Sequence, residues 1–280
     1  MKVVIFGAGG LLGRHLAEEL VGHQVIALDR RGCDVGNFDQ VLSQAGAGDW
    51  LVNCAAYTNV DQAERDEADA YRVNALGAEN IAAAAQKLGK SFVHLSTDFV
   101  FDGAQDEPYD EFARPNPLSK YARSKWAGDE LVARVGLDRG YIVRVQGLYG
   151  RGGKNFSSRL RQLILEGKSL KLDVERRVQP TWARSAARQI IKLMLEGQRG
   201  GGLYHVSCKG QTTWAGFARA LAEILGAKPN WEEVSTRELA APAPRPVNCL
   251  FEHSMLAMHG LDVMPEWQTA LAEYAQEEAR

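Results

Sequence analysis

Lys2-Val3-Val4-Ile5-Phe6 is a β-branched, apolar run that leads straight into Gly7-Ala8-Gly9-Gly10-Leu11-Leu12-Gly13, after which Leu16, Leu20 and Val21 recur at helical spacing. Strand, glycine turn and helix in that order leave few folds open. Glycines let the backbone approach a pyrophosphate, and the helix start behind them offers unpaired N–H groups at a positive dipole end. The next apolar run, Gln24-Val25-Ile26-Ala27-Leu28, ends on Asp29, where a ribose-binding acid belongs. The expectation is a dinucleotide site with Gly7, Gly10, Leu11, Leu12 and Gly13 at the pyrophosphate. Asp29 suits the free 2′-hydroxyl of NADH, whereas Arg30 and Arg31 suit the 2′-phosphate of NADPH, so both cofactors stay open. Asp34, with Val35 after it, falls near the adenine edge, although Asp34 reads equally well as a turn former.

Asp49-Trp50-Leu51-Val52-Asn53 reads as a third strand that continues into the small residues Cys54, Ala55 and Ala56, then Tyr57 and Thr58. Small side chains at a strand's carboxyl end leave room for a ligand there. Val60 to Leu88 is helical by composition, with apolar positions at Val73, Leu76, Ile81, Ala84 and Ala85. Within it, Asn74 is a candidate for supporting a hydrogen-bond system or, equally, a packing residue. Ser91-Phe92-Val93-His94-Leu95 is a buried strand that delivers Ser96, Thr97 and Asp98 to the same edge. A helix over Tyr121 to Val135 and a strand over Gly140 to Val145 continue the rhythm. Such repeats argue a parallel sheet covered on both faces. The predicted fold is α/β: a doubly wound parallel Rossmann sheet over 1–150, with a smaller C-terminal α/β substrate lobe over 151–280 and some interleaving with the sheet.

Tyr121 and Lys125 lie four residues apart, which places them on one helix face. A phenol has a reference pKa of about 10, and an ammonium one turn away favours the phenolate and lowers that value. Tyr121 is then placed to give a proton to a substrate oxygen as hydride arrives at the carbon. Thr97 is placed to donate a second hydrogen bond to that oxygen. The chemistry is carbonyl reduction.

At 280 residues and 45% hydrophobic content the chain can bury a large core. Its formal net charge of -2 provides no basic field for nucleic acid or an anionic membrane, so a small-molecule partner is expected. Cys33, Cys54, Cys208 and Cys249 are scattered without metal-like or disulfide-framework spacing. No leader-like start and no bilayer-length apolar segment is visible. The expectation is a cytoplasmic protein.

Longer stretches narrow the reading. Gly7, Gly10 and Gly13, the Asn53-Cys54-Ala55-Ala56 strand end, Ser96-Thr97-Asp98 and Tyr121-x-x-x-Lys125 resemble the extended short-chain dehydrogenase/reductases. Ala55-Ala56-Tyr57-Thr58-Asn59-Val60-Asp61-Gln62-Ala63-Glu64, Ser96-Thr97-Asp98-Phe99-Val100-Phe101-Asp102-Gly103 and Ser124-Lys125-Trp126-Ala127-Gly128-Asp129-Glu130 resemble the dTDP-4-dehydrorhamnose reductase family. The likeness continues through Asn155-Phe156, Pro180-Thr181, Gly202-Leu203-Tyr204-His205, Thr213-Trp214 and Arg245-Pro246, nearly the whole chain. It implies an oxidoreductase that reduces the 4-keto group of a nucleotide-activated 6-deoxysugar with NADPH or NADH, the last step toward dTDP-L-rhamnose.

The resemblance also implies roles. Tyr121 is the proton donor, Lys125 binds the nicotinamide ribose and tunes Tyr121, and Thr97 polarises the keto oxygen. Ala55, Ala56, Tyr57, Asn74 and Ser96 join the glycines along the cofactor's path. Thr97, Asp98, Val100 and Asn155 face the nucleotide sugar; Arg176, Arg177 and Arg245 are expected at its diphosphate on their charge alone, not from the resemblance. Two departures fall near the sugar. Where relatives carry a tryptophan this chain has Gly147, and before Pro180-Thr181 it reads Glu175-Arg176-Arg177-Val178-Gln179. Some relatives bridge a dimer through a metal held partly by a glutamate two residues past the last glycine, where this chain has His15, so no metal is expected. A monomer or a homodimer is expected.

After Gly150 the strand–helix rhythm loosens. Leu160, Leu163 and Ile164, then Ala186, Ile190, Ile191, Met194 and Leu195, then Trp214, Phe217, Leu221 and Leu225 form apolar stripes that read as core. Ala240 to Pro246 is a proline-stiffened segment placed to wrap the lobe or reach the site. Arg144, Arg151, Lys154, Arg159, Arg176 and Arg177 are the nearest thing to an anion site. Other enzymes of the scaffold, epimerases and dehydratases, recycle their hydride, but Thr97 is followed by Asp98 and Phe99 and not by a dehydratase acid–base pair. A noncatalytic nucleotide-binding subunit is the remaining alternative, and intact Thr97, Tyr121 and Lys125 argue against it.

Overall fold

The computed structural model describes residues 1–152, 156–197, 201–228, 230–239 and 241–278. The first half alternates strand and helix: β1 (Lys2–Phe6), α1 (Leu11–Glu19), β2 (Gln24–Leu28), α2 (Phe38–Ala45), β3 (Trp50–Asn53), α3 (Val60–Ala63), α4 (Glu67–Tyr71), a π-helical turn (Arg72–Leu76), α5 (Gly77–Leu88), β4 (Ser91–Thr97), α6 (Lys120–Val135) and β5 (Gly140–Val145). Shorter pieces follow: β6 (Leu148–Tyr149), α7 (Phe156–Leu165), β7 (Leu170–Asp173), β8 (Arg177–Val178), β9 (Thr181–Trp182), α8 (Ala183–Glu196), β10 (Gly202–Val206), β11 (Thr212–Thr213), α9 (Trp214–Ile224), β12 (Trp231–Val234), α10 (Ser254–Met258) and α11 (Trp267–Glu278).

Six strands form one sheet in the order β10-β5-β4-β3-β1-β2, every pair parallel. Because β2 lies on one side of β1 and β3 on the other, the chain reverses direction across the sheet at β1. The crevice at that reversal, outside the strands' carboxyl ends, is where ligands of such sheets bind. Alternating side chains fill both faces: Val3 and Ile5 join one core with Leu12 and Leu16, whereas Val4 and Phe6 join another with Val41 and Ile81. β10 returns from beyond residue 150 to pair with β5, and α8 lies against α1, so the two halves of the chain interleave.

The elements differ from the sequence reading in three places. The strand read through Thr58 ends at Asn53. The single helix read over Val60 to Leu88 is broken into α3, α4, the π-helical turn and α5. Leu195, read as core, is 56% exposed, and Leu76, read as an apolar position of the helical segment, is 42% exposed. Among the described residues no helix is long and apolar enough to cross a membrane.

Candidate active site

Two elements bring the predicted pair of groups together. β4 is buried almost throughout and ends at Thr97, whose Oγ1 accepts from Phe99 N at 3.2 Å and so starts the short turn Asp98–Val100. Ser119 caps α6 by accepting from Ala122 N, which fixes the helix start one residue before Tyr121. Tyr121 and Thr97 then lie within hydrogen-bond reach of each other.

The electrostatics differ from expectation in one respect. Burial pushes the Tyr121 phenol up to about 12, with the Thr97 hydrogen bond opposing it. The Lys125 ammonium donates instead to the Leu95 carbonyl at 2.6 Å. The expected lowering of Tyr121 by Lys125 is not seen: burial, with the carboxylates of Asp98 and Asp129 beside it, sets the upward direction, and Thr97 is the group that opposes it. Tyr121 stays a neutral phenol, which is the form a proton donor needs. Burial brings Lys125 itself down to about 8, against the opposing effects of Asp129 and Cys54.

Asp98 completes the group. Thr97 Oγ1 donates to its Oδ1 at 3.0 Å, and Gln146 Nε2 donates to its Oδ2 at 3.3 Å. Burial still pushes Asp98 up to about 7, with those two hydrogen bonds opposing. Gln146 also donates to the Cys249 carbonyl and accepts from Gln179 N at 2.7 Å. Gln179 in turn accepts from Ser207 Oγ at 2.9 Å. Sequence reasoning gave neither glutamine a role; their signal was their position beside the two departures, at Gly147 and before Pro180.

On the cofactor side, Gly7 has φ +76°, and a Cβ there would sit 2.5 Å from Ala55 N. The first strand's turn thus touches the end of β3 directly. Gly10 caps α1 without a side chain, leaving the helix start open to an anion. A Cβ on Gly9 would meet the Cβ of Asp29 at 3.8 Å, so that carboxylate borders the turn. Asp29 Oδ1 accepts from Arg31 N and Gly32 N, which fixes its orientation, while Arg30 and Arg31 are exposed. An uncapped helix start, close-packed glycines and a bordering acid fit a dinucleotide. Leu11 is half-buried against the first core and Leu12 lies within it. Asp34 ion-pairs with Arg72 at 2.9 Å and accepts from Gly36 N, as a turn former does. Val35 is buried in the second core.

Asn74 links the two sides. Its Oδ1 accepts from Tyr57 N at 2.8 Å and its Nδ2 donates to Tyr57 O at 3.2 Å and Ser124 Oγ at 2.9 Å. The π-helical turn that carries it pins the segment after β3 to α6. Ala55 and Ala56 are half-buried beside it, and Ser96 is buried next to Asp129.

On the substrate side, the side chain of Val100 is fully buried among Phe101, Tyr109, Cys249 and Phe251 and its carbonyl accepts from Asn116 N. It shapes the loop and presents no group. Arg176 is mostly buried, 3.5 Å from Asp173, with Arg245 and Asp98 near enough to act on its charge. Arg245 pairs with Asp61 at 2.9 Å, and Arg177 donates to Gln211 and the Asp106 carbonyl. Arg144 is buried against Asp129, so it is no part of an anion site. Asn155 and Lys154 lie outside the described residues.

The profile of the RmlD substrate binding domain matches residues 1–280. A spore coat polysaccharide biosynthesis protein, SpsK, of Bacillus subtilis is 34% identical over 99% of this chain and 97% of its own. A dTDP-4-dehydrorhamnose reductase of Streptomyces griseus is 36% identical over 96% of this chain and 91% of its own. Among solved structures, a dTDP-4-dehydrorhamnose reductase from Clostridium acetobutylicum superposes with a TM-score of 0.95 at 34% identity, covering 100% of both chains. The same enzyme from Bacillus anthracis, in complex with NADP, superposes with a TM-score of 0.93 at 36% identity over 99% of this chain and 100% of that one.

Proposed function

The chain belongs to the RmlD substrate binding domain family, and from that premise we propose that it reduces dTDP-4-dehydro-L-rhamnose to dTDP-L-rhamnose with NADPH or NADH. It is an oxidoreductase of the sugar-nucleotide reductase kind, as its relatives' names and the NADP complex of one of them indicate. The observation that carries the reading is the meeting of Thr97, Asp98 and Tyr121 at the edge where the glycine turn and the end of β3 also meet.

The bound dinucleotide supplies the hydride. Gly7, Gly10 and Gly13 take its pyrophosphate and Asp29 or Arg30 its adenosine ribose, while Ala55, Ala56 and Tyr57 line its path. Lys125 holds the nicotinamide ribose. Tyr121, kept neutral by burial, gives its proton to the developing C4 alkoxide. The Thr97 hydroxyl hydrogen-bonds that oxygen, and Asp98 governs whether it can. Arg176 and Arg245, two cations held near each other, suit the diphosphate of the sugar nucleotide. The four cysteines are unpaired, which suits a cytoplasmic place of work, as a monomer or a homodimer.

The test is nicotinamide oxidation, followed by absorbance, with dTDP-4-dehydro-L-rhamnose as substrate and the product identified by mass and NMR. Stoichiometric consumption with dTDP-L-rhamnose formed is the expected result. Cofactor bound but unconsumed, with the sugar isomerised, would assign an epimerase instead.

A further inference from the structure

Behind the site lies a buried polar cluster to which the proposed reaction gives no role. Asn53 Oδ1 accepts from Ala55 N at 3.1 Å, so its amide nitrogen is the atom that faces His94 Nδ1 at 3.0 Å. His94 therefore accepts at Nδ1 and carries its proton on Nε2, 3.6 Å from Asp129 Oδ1. Arg144 Nε donates to the other oxygen, Asp129 Oδ2, at 3.1 Å, and its guanidinium lies over the Phe101 ring. Ser96 faces the same carboxylate. Burial works against the charge of Asp129, yet His94, Arg144 and Ser96 together hold its carboxyl below the usual range.

The anion so secured is one helical turn beyond Lys125 on α6, as Lys125 is one turn beyond Tyr121. Lys125 is 2% exposed, too buried for water to hold its charge. The groups that favour its ammonium are Asp129 on the same helix and Cys54 after β3. Burial pushes the Cys54 thiol up to about 12, so it is neutral around neutrality. His94 on β4 is also neutral, brought down to about 4 by burial, and the cation of Arg144 on β5 is paired with Asp129. We propose that Asp129 is a positioning residue that keeps Lys125 charged beneath Tyr121, with His94, Ser96 and Arg144 holding its carboxylate in place. The role given to Lys125 rests on the reductase reading; its charge state does not.

The experiment follows the Lys125 side-chain nitrogen by NMR in lysine-labelled protein without substrate, assigned by Lys125→Met, across a pH titration. Asp129→Asn alone strands Arg144, so the double variant Asp129→Asn/Arg144→Gln, which removes both charges, is measured beside it, with Asp129→Glu as the conservative control. The expected result is a Lys125 midpoint lowered by about one pH unit or more in the double variant and kept in Asp129→Glu. The pH above which turnover declines moves down with it. A midpoint in the double variant within about 0.3 units of the parent, below the roughly one-unit effect of a nearby charge, overturns the proposal. Since the titration needs no turnover, it stands apart from any failure of the reductase reading.

Discussion

The Thr97 hydroxyl donates to Asp98 Oδ1 at 3.0 Å, which commits to a carboxylate the proton that a substrate oxygen needs. When Asp98 is protonated it can donate to Thr97 Oγ1 and release that hydroxyl toward the substrate. Burial places the changeover at about 7. Below it Asp98 is neutral and Thr97 is free to act; above it the hydroxyl is drawn back. Reductive turnover is therefore expected to fall as pH rises through about 7, and Asp98→Asn is expected to lose that limb while keeping any decline set by Lys125. Profiles of kcat/KM against pH for the two proteins check this; an unchanged limb in Asp98→Asn removes Asp98 from the role.

Tyr121→Phe removes the proposed donor and little else, since the ring packs edge-on against Phe99 and the variant keeps that contact. Turnover is expected to drop about a hundredfold or more, the usual scale of acid catalysis. NADPH affinity, measured by fluorescence titration, is expected to stay close to that of the parent. Retained turnover would mean that another group supplies the proton.

Five of the six strands were legible because their signals are local: short apolar, β-branched runs produced β1 to β5, whereas β10 joins the sheet only through the return of the chain beyond residue 150, and the spacing of Tyr121 and Lys125 follows from helix geometry alone. What stayed hidden depends on contacts across the fold. Nothing near Arg144 in sequence says that it pairs with Asp129 and not with a phosphate. Gln146 and Gln179 meet only because β6 and β9 lie side by side. Tyr121 was read with a lowered phenol because spacing gives proximity to Lys125 but gives neither the burial of the ring nor the turn of Lys125 toward Leu95.

Gly147, the first of the two departures noted near the sugar, has φ +55°, and a Cβ there would approach Val178 Cγ2 to 2.9 Å and Gln179 O to 3.1 Å. A side chain at this place is both strained and crowded, so the space is already filled from β8 and the residues before β9. Gly147→Ala is expected to destabilise the protein by about 1–3 kcal/mol, read as a lowered urea midpoint. Gly147→Trp is expected to disrupt the Gln146–Gln179 contact and lower turnover, and not to restore a family-like pocket.

His94 links this site to stability. Burial brings it down to about 4, whereas the unfolded chain protonates it near the ordinary histidine value of 6.5. Between those values the unfolded state holds a proton that the folded state refuses. The contribution of neutral His94 is thus fully present above about 6.5 and is lost as pH falls toward about 4, a total on the order of 3 kcal/mol. Asp98, raised by burial, works in the opposite direction over much of that range, so the slope of the parent alone mixes the two. His94→Gln separates them, since glutamine can still accept from Asn53 but does not titrate. Urea unfolding of both proteins at several pH values is expected to show the parent losing stability relative to His94→Gln on acidification. Parallel curves would mean that His94 titrates alike in the folded and unfolded chain.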